Sequence, residues 1–237
     1  MRPGPARVPL FRQPRLRECA SAAISPVRPA GNFSDWCPCP YCVYIDREKG
    51  GENMLVVESD LPGVLLLRPA RFSDSRGWFM ESWSHQAFRE AGLDTEVIKD
   101  NVSLSFKTGT VRGLHFQRPP MAQAKLISVY SGRVLDVAVD LRPGSATYGR
   151  HLSVELSAAE GTMLFIPKGF AHGFCTLEDN TLVGYKVDAP YSPEHEGAIH
   201  WRDPDLGIVW PVSEDQAELS PKDLAAGPFA GRDHTAR

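Results

Sequence analysis

Four short stretches of the chain hold side chains suited to moving protons. VRGLHFQRPP (Val111–Pro120) carries Arg112, His115 and Gln117, AQAKL carries Gln123 and Lys125, FAHGF carries His172, and GYKV carries Tyr185. Removing a proton next to a carbonyl needs a base near neutral pKa, a cation where enolate charge develops, and an acid to return the proton. His115, Lys125 or Arg112, and Tyr185 supply that inventory. Each residue alone has a plainer explanation: a core histidine bonded to backbone, a surface lysine, a tyrosine at a sheet edge. Their concurrence is what favours chemistry. Strand alternation puts His115 with Gln117, and Gln123 with Lys125, on common faces. Arg112 has the opposite parity to His115 unless Gly113 forms a bulge.

These residues sit among short β-type runs. GVLLL, GWFMESW, KLISVYSG, RVLDVAVDL, HLSVEL, GTMLFIP and TLVGYKV alternate with Gly, Pro, Asp and Asn punctuation. The spacing suits an antiparallel sandwich or barrel better than βαβ units. SHQAFREAG (Ser84–Gly92) is the one convincing helix, with a serine N-cap and a glycine stop, and LSAAEG offers a further turn after Ser157. Within RVLDVAVDL, Leu135, Val137, Val139 and Leu141 form one apolar side and Asp136, Ala138 and Asp140 the other. Taken alone, that pattern reads as a buried face and a solvated outer face. The sharper alternative places Asp136 inside a polar barrel mouth.

The chain has 237 residues and a formal net charge of −3, enough for one globular domain with a substantial core. No Lys/Arg stripe suggests nucleic acid, and no apolar run approaches a membrane span. Residues 1–53 differ from the rest. They hold four of the five cysteines and eight of the twenty prolines, with eight Lys/Arg against five Asp/Glu. That composition, without helical or strand period, predicts a disordered extension or a mis-assigned upstream start. MLVVESDLPGVLLL then opens the domain, which spans 54–230, with Met54 as its natural initiator. The Arg-rich, acid-poor opening is also compatible with a transit peptide and poorly suited to a secretory signal. WCPCPYC lacks the paired C-x-x-C halves of a structural zinc site and reads as incidental cysteines. After Met54 only Cys175 remains, which fits a reducing, cytoplasmic setting.

GTMLFIPKGFAH spaces Gly161, Pro167, Gly169 and His172 as in the second cupin motif. Metal-binding cupins join that histidine to an earlier H-x-H and a Glu. Here the earlier histidine is His115, its i+2 neighbour is Gln117, and no H-x-H occurs in the chain. Two histidines alone make a poor divalent site, so the expectation is a jelly-roll cupin without metal, and a metal-dependent oxygenase is disfavoured.

From about Val64 to Asp223 the sequence resembles the dTDP-4-dehydrorhamnose 3,5-epimerases. The pieces that carry the likeness are FSDSRGWFMES, Asp100–Asn101–x–Ser, VRGLHFQRPPMAQAKL, VLDVAVDLR with SATYG, IPKGFAHGF, GYKVDAPYSPEHEG, WRDPDLGIVWP and LSPKD. The resemblance implies a jelly-roll cupin that dimerises with strands exchanged between subunits and uses no cofactor. It implies epimerisation at C3 and C5 of dTDP-4-dehydro-6-deoxy-D-glucose. His115 matches the base, Asp223 its paired carboxylate, Lys125 the group stabilising the enolate, and Tyr185 the acid on the opposite face. Arg76 and Arg112 match pyrophosphate contacts, which suit a guanidinium fork. Phe72 and Tyr191 match nucleobase-packing residues, while Glu81, Asn101, Gln123, His172 and Asp136 fall on pocket positions. Lys99 and Val102 depart from the family's usual residues, which leaves base and sugar preference more open than the chemistry. Two other functions fit the same fold: epimerisation at one centre of a related dTDP-4-keto-deoxysugar, and non-catalytic binding of a sugar nucleotide. Loss of the base or acid would mark the last, and neither is lost.

Overall fold

The protein is described by a computed structural model that covers residues 54–93 and 95–229, so the readings of residues 1–53 and of WCPCPYC fall outside the described residues. The strands are β1 (Met54–Glu58), β2 (Leu65–Pro69), β3 (Arg71–Asp74), β4 (Gly77–Met80), β5 (Lys99–Ser105), β6 (Val111–Gln117), β7 (Lys125–Ser131), β8 (Arg133–Asp140), β9 (His151–Ser157), β10 (Met163–Ile166), β11 (Phe170–Thr176), β12 (Thr181–Val187) and β13 (Glu196–Ala198). Among the described residues there are also two short helices, α1 (His85–Glu90) and α2 (Pro221–Leu224). A six-stranded antiparallel sheet runs β1-β2-β10-β7-β12-β5, a five-stranded one β13-β6-β11-β8-β9, and β3 and β4 form a separate hairpin. This is the expected jelly-roll sandwich. Neither helix is long and apolar enough to cross a membrane.

The two sheets face each other over a core of Ile127, Val129, Leu164, Ile166 and Val183 from one side and Val134, Ala138, Leu156, Phe170 and Phe174 from the other. β-branched and aromatic residues dominate because they fit a pleated, two-sided interface. The expected runs all become strands. α1 forms where SHQAFREAG predicts it: Ser84 Oγ accepts the Ala87 N–H, and Gly92 takes a positive φ just beyond the helix. LSAAEG makes a single turn, closed by Gly161 N–H to the Ser157 carbonyl.

β8 corrects one expectation. The side carrying Asp136, Ala138 and Asp140 is not solvated; all three are fully buried. Val134 and Ala138 belong to the core between the sheets, so Asp136 points inward with them. The opposite side is buried too, since Val137, Val139 and Leu141 pack with Leu114, Phe116, Ala171, Ile199 and Leu206. The chain beyond β13 returns to cover the outer face of the five-stranded sheet, and Ile208 and Trp210 pack against that same cluster. Alternation within a strand says that two faces differ; it cannot say that a distant segment covers the second one.

Candidate active site

Inward-facing residues change character along the sandwich, from apolar packing to a polar cluster. On β11, His172 follows Phe170 and precedes Phe174, both core residues, so it shares their side. His172 is paired with His115 on β6 and with Ala138 on β8. The two imidazoles therefore stand on neighbouring strands of one sheet face. Opposite them, Lys125 shares its side of β7 with Ile127 and Val129, and Tyr185 shares its side of β12 with Val183.

Arg112 reaches the same face through a bulge. Between His172 and Phe174, β11 advances two residues while β6 runs from His115 back to Arg112, three residues, and the register shifts there. The extra residue lies beside Gly113, whose φ is +125°. A Cβ at Gly113 would lie 2.5 Å from Gly173 Cα and 2.7 Å from the His172 carbonyl oxygen. Only glycine permits that backbone shape and that approach of β6 to β11. Arg112 then donates from Nε to Ser105 Oγ at 3.1 Å.

Each histidine has its own carboxylate. His115 Nε2 lies 2.6 Å from Asp223 Oδ1, with the imidazole about one-third exposed and the carboxylate 4% exposed. Asp223 is set by α2: Ser220 Oγ caps that helix by accepting the Asp223 N–H, and donates to Asp223 Oδ2 at 2.7 Å. Burial pushes the Asp223 carboxyl up, but hydrogen bonds from His115, Ser220 and the Gly113 N–H outweigh it and hold the group below the ordinary carboxylate range. An ionised carboxylate only accepts, so Nε2 is the nitrogen that donates to Asp223, and a neutral imidazole held this way has its lone pair on the other ring nitrogen. The second pair is fully internal: His172 Nε2 lies 3.0 and 2.9 Å from the two Asp136 oxygens.

Lys125 Nζ lies 3.5 Å from the His115 carbonyl oxygen. Burial pulls its pKa down to about 8, partly offset by Asp136, Glu196 and Asp188. Tyr185 meets the His172 ring edge-on at 6.2 Å between centroids, and its Oη lies 2.9 Å from Ser103 Oγ. Burial pushes the phenol up to about 12, eased by Ser103. At neutral pH the pocket thus contains a charged ammonium, a protonated phenol and a carboxylate-oriented imidazole, with the phenol and the imidazole on facing sheets.

The profile of the dTDP-4-dehydrorhamnose 3,5-epimerase family matches residues 58–231. The chain belongs to that family. It is 51% identical over 160 residues to the dTDP-4-dehydrorhamnose 3,5-epimerase of Sinorhizobium fredii, covering 68% of this chain and 82% of that one. The crystal structure of the Bacillus anthracis enzyme, with TDP and PPi bound, superposes with a TM-score of 0.72 at 44% identity, covering 74% of this chain and 99% of that one. The Legionella pneumophila enzyme, in complex with dTDP-4-keto-L-rhamnose, gives 0.70 at 41% identity, covering 74% and 92%.

The family resemblance named thirteen site residues, and the structure does not gather all of them. His115, Asp223, Lys125, Tyr185, Arg112, His172 and Asp136 lie in the inward-facing cluster described above. Asn101 is exposed on edge strand β5, paired with Tyr185, on the side of that strand shared with Ser103 and Ser105. Val102, one of the two departures from the family's usual residues, lies on the opposite face of β5 from Asn101 and is 58% exposed. Gln123 uses its amide to donate to the Ala189 carbonyl at 2.6 Å. Phe72, Arg76 and Glu81 belong to the β3–β4 hairpin and its end, all exposed, with Arg76 ion-paired to Asp74. Tyr191 is exposed and donates to Glu196 Oε2 at 2.7 Å.

Gln117 proves to be a brace. Its amide donates to the Met121 carbonyl at 2.7 Å and the Pro190 carbonyl at 3.1 Å, and accepts the Ser192 N–H at 2.8 Å. Among the described residues, no group of three or more His, Cys, Asp or Glu side chains is arranged to hold a metal ion. Sequence reasoning missed Glu196, which joins Tyr191 to Lys222 beside the pocket. Burial pushes its carboxyl up, and Lys222, Tyr191 and the nearby His115 pull it below the ordinary range. It sits on a three-residue strand, too short for alternation to place. α2 was also missed, although Ser220–Pro221 is a serine N-cap followed by proline at the first helical position.

Proposed function

We propose that the protein epimerises dTDP-4-dehydro-6-deoxy-D-glucose at C3 and C5 to give dTDP-4-dehydro-L-rhamnose. The observation that carries this reading is the placement of His115 and Tyr185 on facing sheets, with Lys125 beside them. A sugar ring held between the sheets meets a base on one face and an acid on the other. His115 takes the proton from the carbon next to the C4 ketone, and the C–H electrons form the enolate. Lys125 faces the negative charge that builds on O4. Tyr185 delivers its proton to the carbon from the opposite face, the ketone reforms, and the centre is inverted. Asp223 orients the imidazole and stabilises its cation. Arg112 is offered to the diphosphate, and His172, braced by Asp136, lines the sugar pocket with Asn101 and Gln123.

Phe72, Arg76 and Glu81 suit a site completed by a second copy. The hairpin exposes Phe72, Trp78 and Phe79, and among the described residues β1 is an edge strand of its sheet. Exposed aromatic surface next to an edge strand favours association by strand exchange. In a two-fold dimer, Phe72 and Tyr191 would bracket the nucleobase and Arg76 would reach the diphosphate of the neighbouring site. A cytoplasmic setting accords with Cys175, a buried free thiol that burial pushes up to about 11.

The deciding experiment is incubation with dTDP-4-keto-6-deoxyglucose in deuterated water. Deuterium at both C3 and C5 of the product is expected. Incorporation at one carbon alone would assign a single-centre epimerase, and none at either would leave a binding protein.

A further inference from the structure

Two inversions at one site raise a problem of proton supply. Each inversion, on the acid–base reading above, leaves His115 with one proton more and Tyr185 with one fewer. The imidazole is partly exposed and can release its proton to solvent. The phenol is also only partly buried, but it is packed against the core cluster, between His172, Phe174 and the edge strand. A phenolate left there must regain a proton before the second carbon can be inverted.

One hydroxyl is placed to supply it. Ser103 lies on β5, the last strand of the six-stranded sheet, where one side of the ladder has no partner strand among the described residues. It pairs with Val183, so its side chain stands diagonally next to that of Tyr185, which pairs with Asn101. The Ser103 Oγ to Tyr185 Oη distance is 2.9 Å. Between two neutral hydroxyls either can donate; once Tyr185 has lost its proton, only Ser103 can. Ser103 is half-buried, and its neighbour on the same face, Asn101, is exposed.

We propose that Ser103 is the positioning and proton-resupply residue for Tyr185, relaying a solvent proton to the phenolate between the two inversions. The step balances: Ser103 Oγ–H passes its proton to the Tyr185 oxygen while Ser103 Oγ takes one from water at the strand edge. One solvent proton enters there for each one that leaves His115. The same contact favours the phenolate, in the direction that burial opposes. The charged and titratable groups facing Tyr185 are Asp136 from β8, Arg112 from β6 and His172 from β11. Asp136 raises its pKa and Arg112 lowers it. None of these three shares a hydrogen bond with its Oη, whereas Ser103 does.

This rests on Tyr185 being the acid, and the test separates the two ideas. Ser103→Val and Ser103→Thr are nearly the same shape, and both suit a β-strand, so they differ chiefly in the hydroxyl. Single turnovers in deuterated water are expected to show S103V exchanging protons at wild-type rate but stalling after one inversion. The singly inverted sugar should accumulate and kcat should fall by about 10- to 100-fold with KM unchanged. S103T should restore the second inversion. Wild-type kcat in S103V, or equal losses in exchange and inversion, would overturn the Ser103 role. Absence of exchange in the wild type would instead sink the acid–base reading beneath it.

Discussion

His115 and His172 face each other across the β6–β11 ladder, and each imidazole is held by a different carboxylate, Asp223 at 2.6 Å and Asp136 at 2.9 Å. The two pairs differ in access. His115 is partly exposed, whereas His172 and Asp136 are buried. A base must meet substrate and give up its proton afterwards, and only the first pair meets both demands.

His115→Ala is expected to abolish deuterium exchange at both carbons, and Tyr185→Phe to spare exchange while blocking inversion. Nuclear magnetic resonance of the product sugar reads both outcomes. Wild-type turnover in the His115 variant would remove it as the base.

Asp223→Asn keeps the shape but places an amide against Nε2. The expected loss in kcat is about 10²- to 10⁴-fold, with a smaller change in KM. Asp223 also makes stability depend on pH. Its folded pKa lies below its unfolded value, so its contribution is present above the usual carboxylate range and is lost as pH falls through the folded value. D223N should therefore flatten the acid limb of a Tm-against-pH profile.

Lys125 must be charged to face an enolate, and burial brings its pKa to about 8. Activity should therefore decline as pH rises through about 8. Stability should move the other way: between the folded value and 10.5 the unfolded chain binds the extra proton, so raising pH relieves the penalty of burying the ammonium. Lys125→Met should be nearly inactive yet more stable at pH 7, by roughly 1–3 kcal/mol. Denaturant titration measures the gain.

Gly113→Ala puts a methyl 2.5 Å from Gly173 Cα at a φ of +125°. A loss of about 3 kcal/mol or more is expected, from strain and forced separation of β6 from β11. Such separation would carry Arg112 off the His115 face, so nucleotide affinity measured by calorimetry should drop further than folding alone explains.

Mixing tests the shared site. If Arg76 serves the neighbouring subunit, H115A and R76A proteins are each impaired, but a mixed dimer contains one intact site. Random exchange of subunits should restore roughly a quarter of wild-type activity. No recovery in dimers shown by mass spectrometry to be mixed would place Arg76 in its own chain's site, or in none.

What was legible in the sequence was local. Alternation and turn residues marked most of the strands, Ser84 and Gly92 bounded α1, and the spacing Gly161–Pro167–Gly169–His172 pointed to a cupin. Long family-specific pieces, VRGLHFQRPPMAQAKL and GYKVDAPYSPEHEG, pointed to His115 as the proposed base and Tyr185 as the proposed acid. The bulge at Gly113 could be posed only as a condition, because its cause is the backbone of β11, 60 residues further along the chain. Asp136 reads as solvated only from its own strand, which contains no sign of the segment that buries the other face; the family resemblance is what puts it at a pocket position. Asp223 meets His115 across 108 residues, through a four-residue helix whose serine cap aims the carboxylate. Residue types and their order along each strand are written in the chain. Which faces become interior, and which distant groups meet at hydrogen-bond distance, depends on packing between elements and was decided only by the tertiary structure.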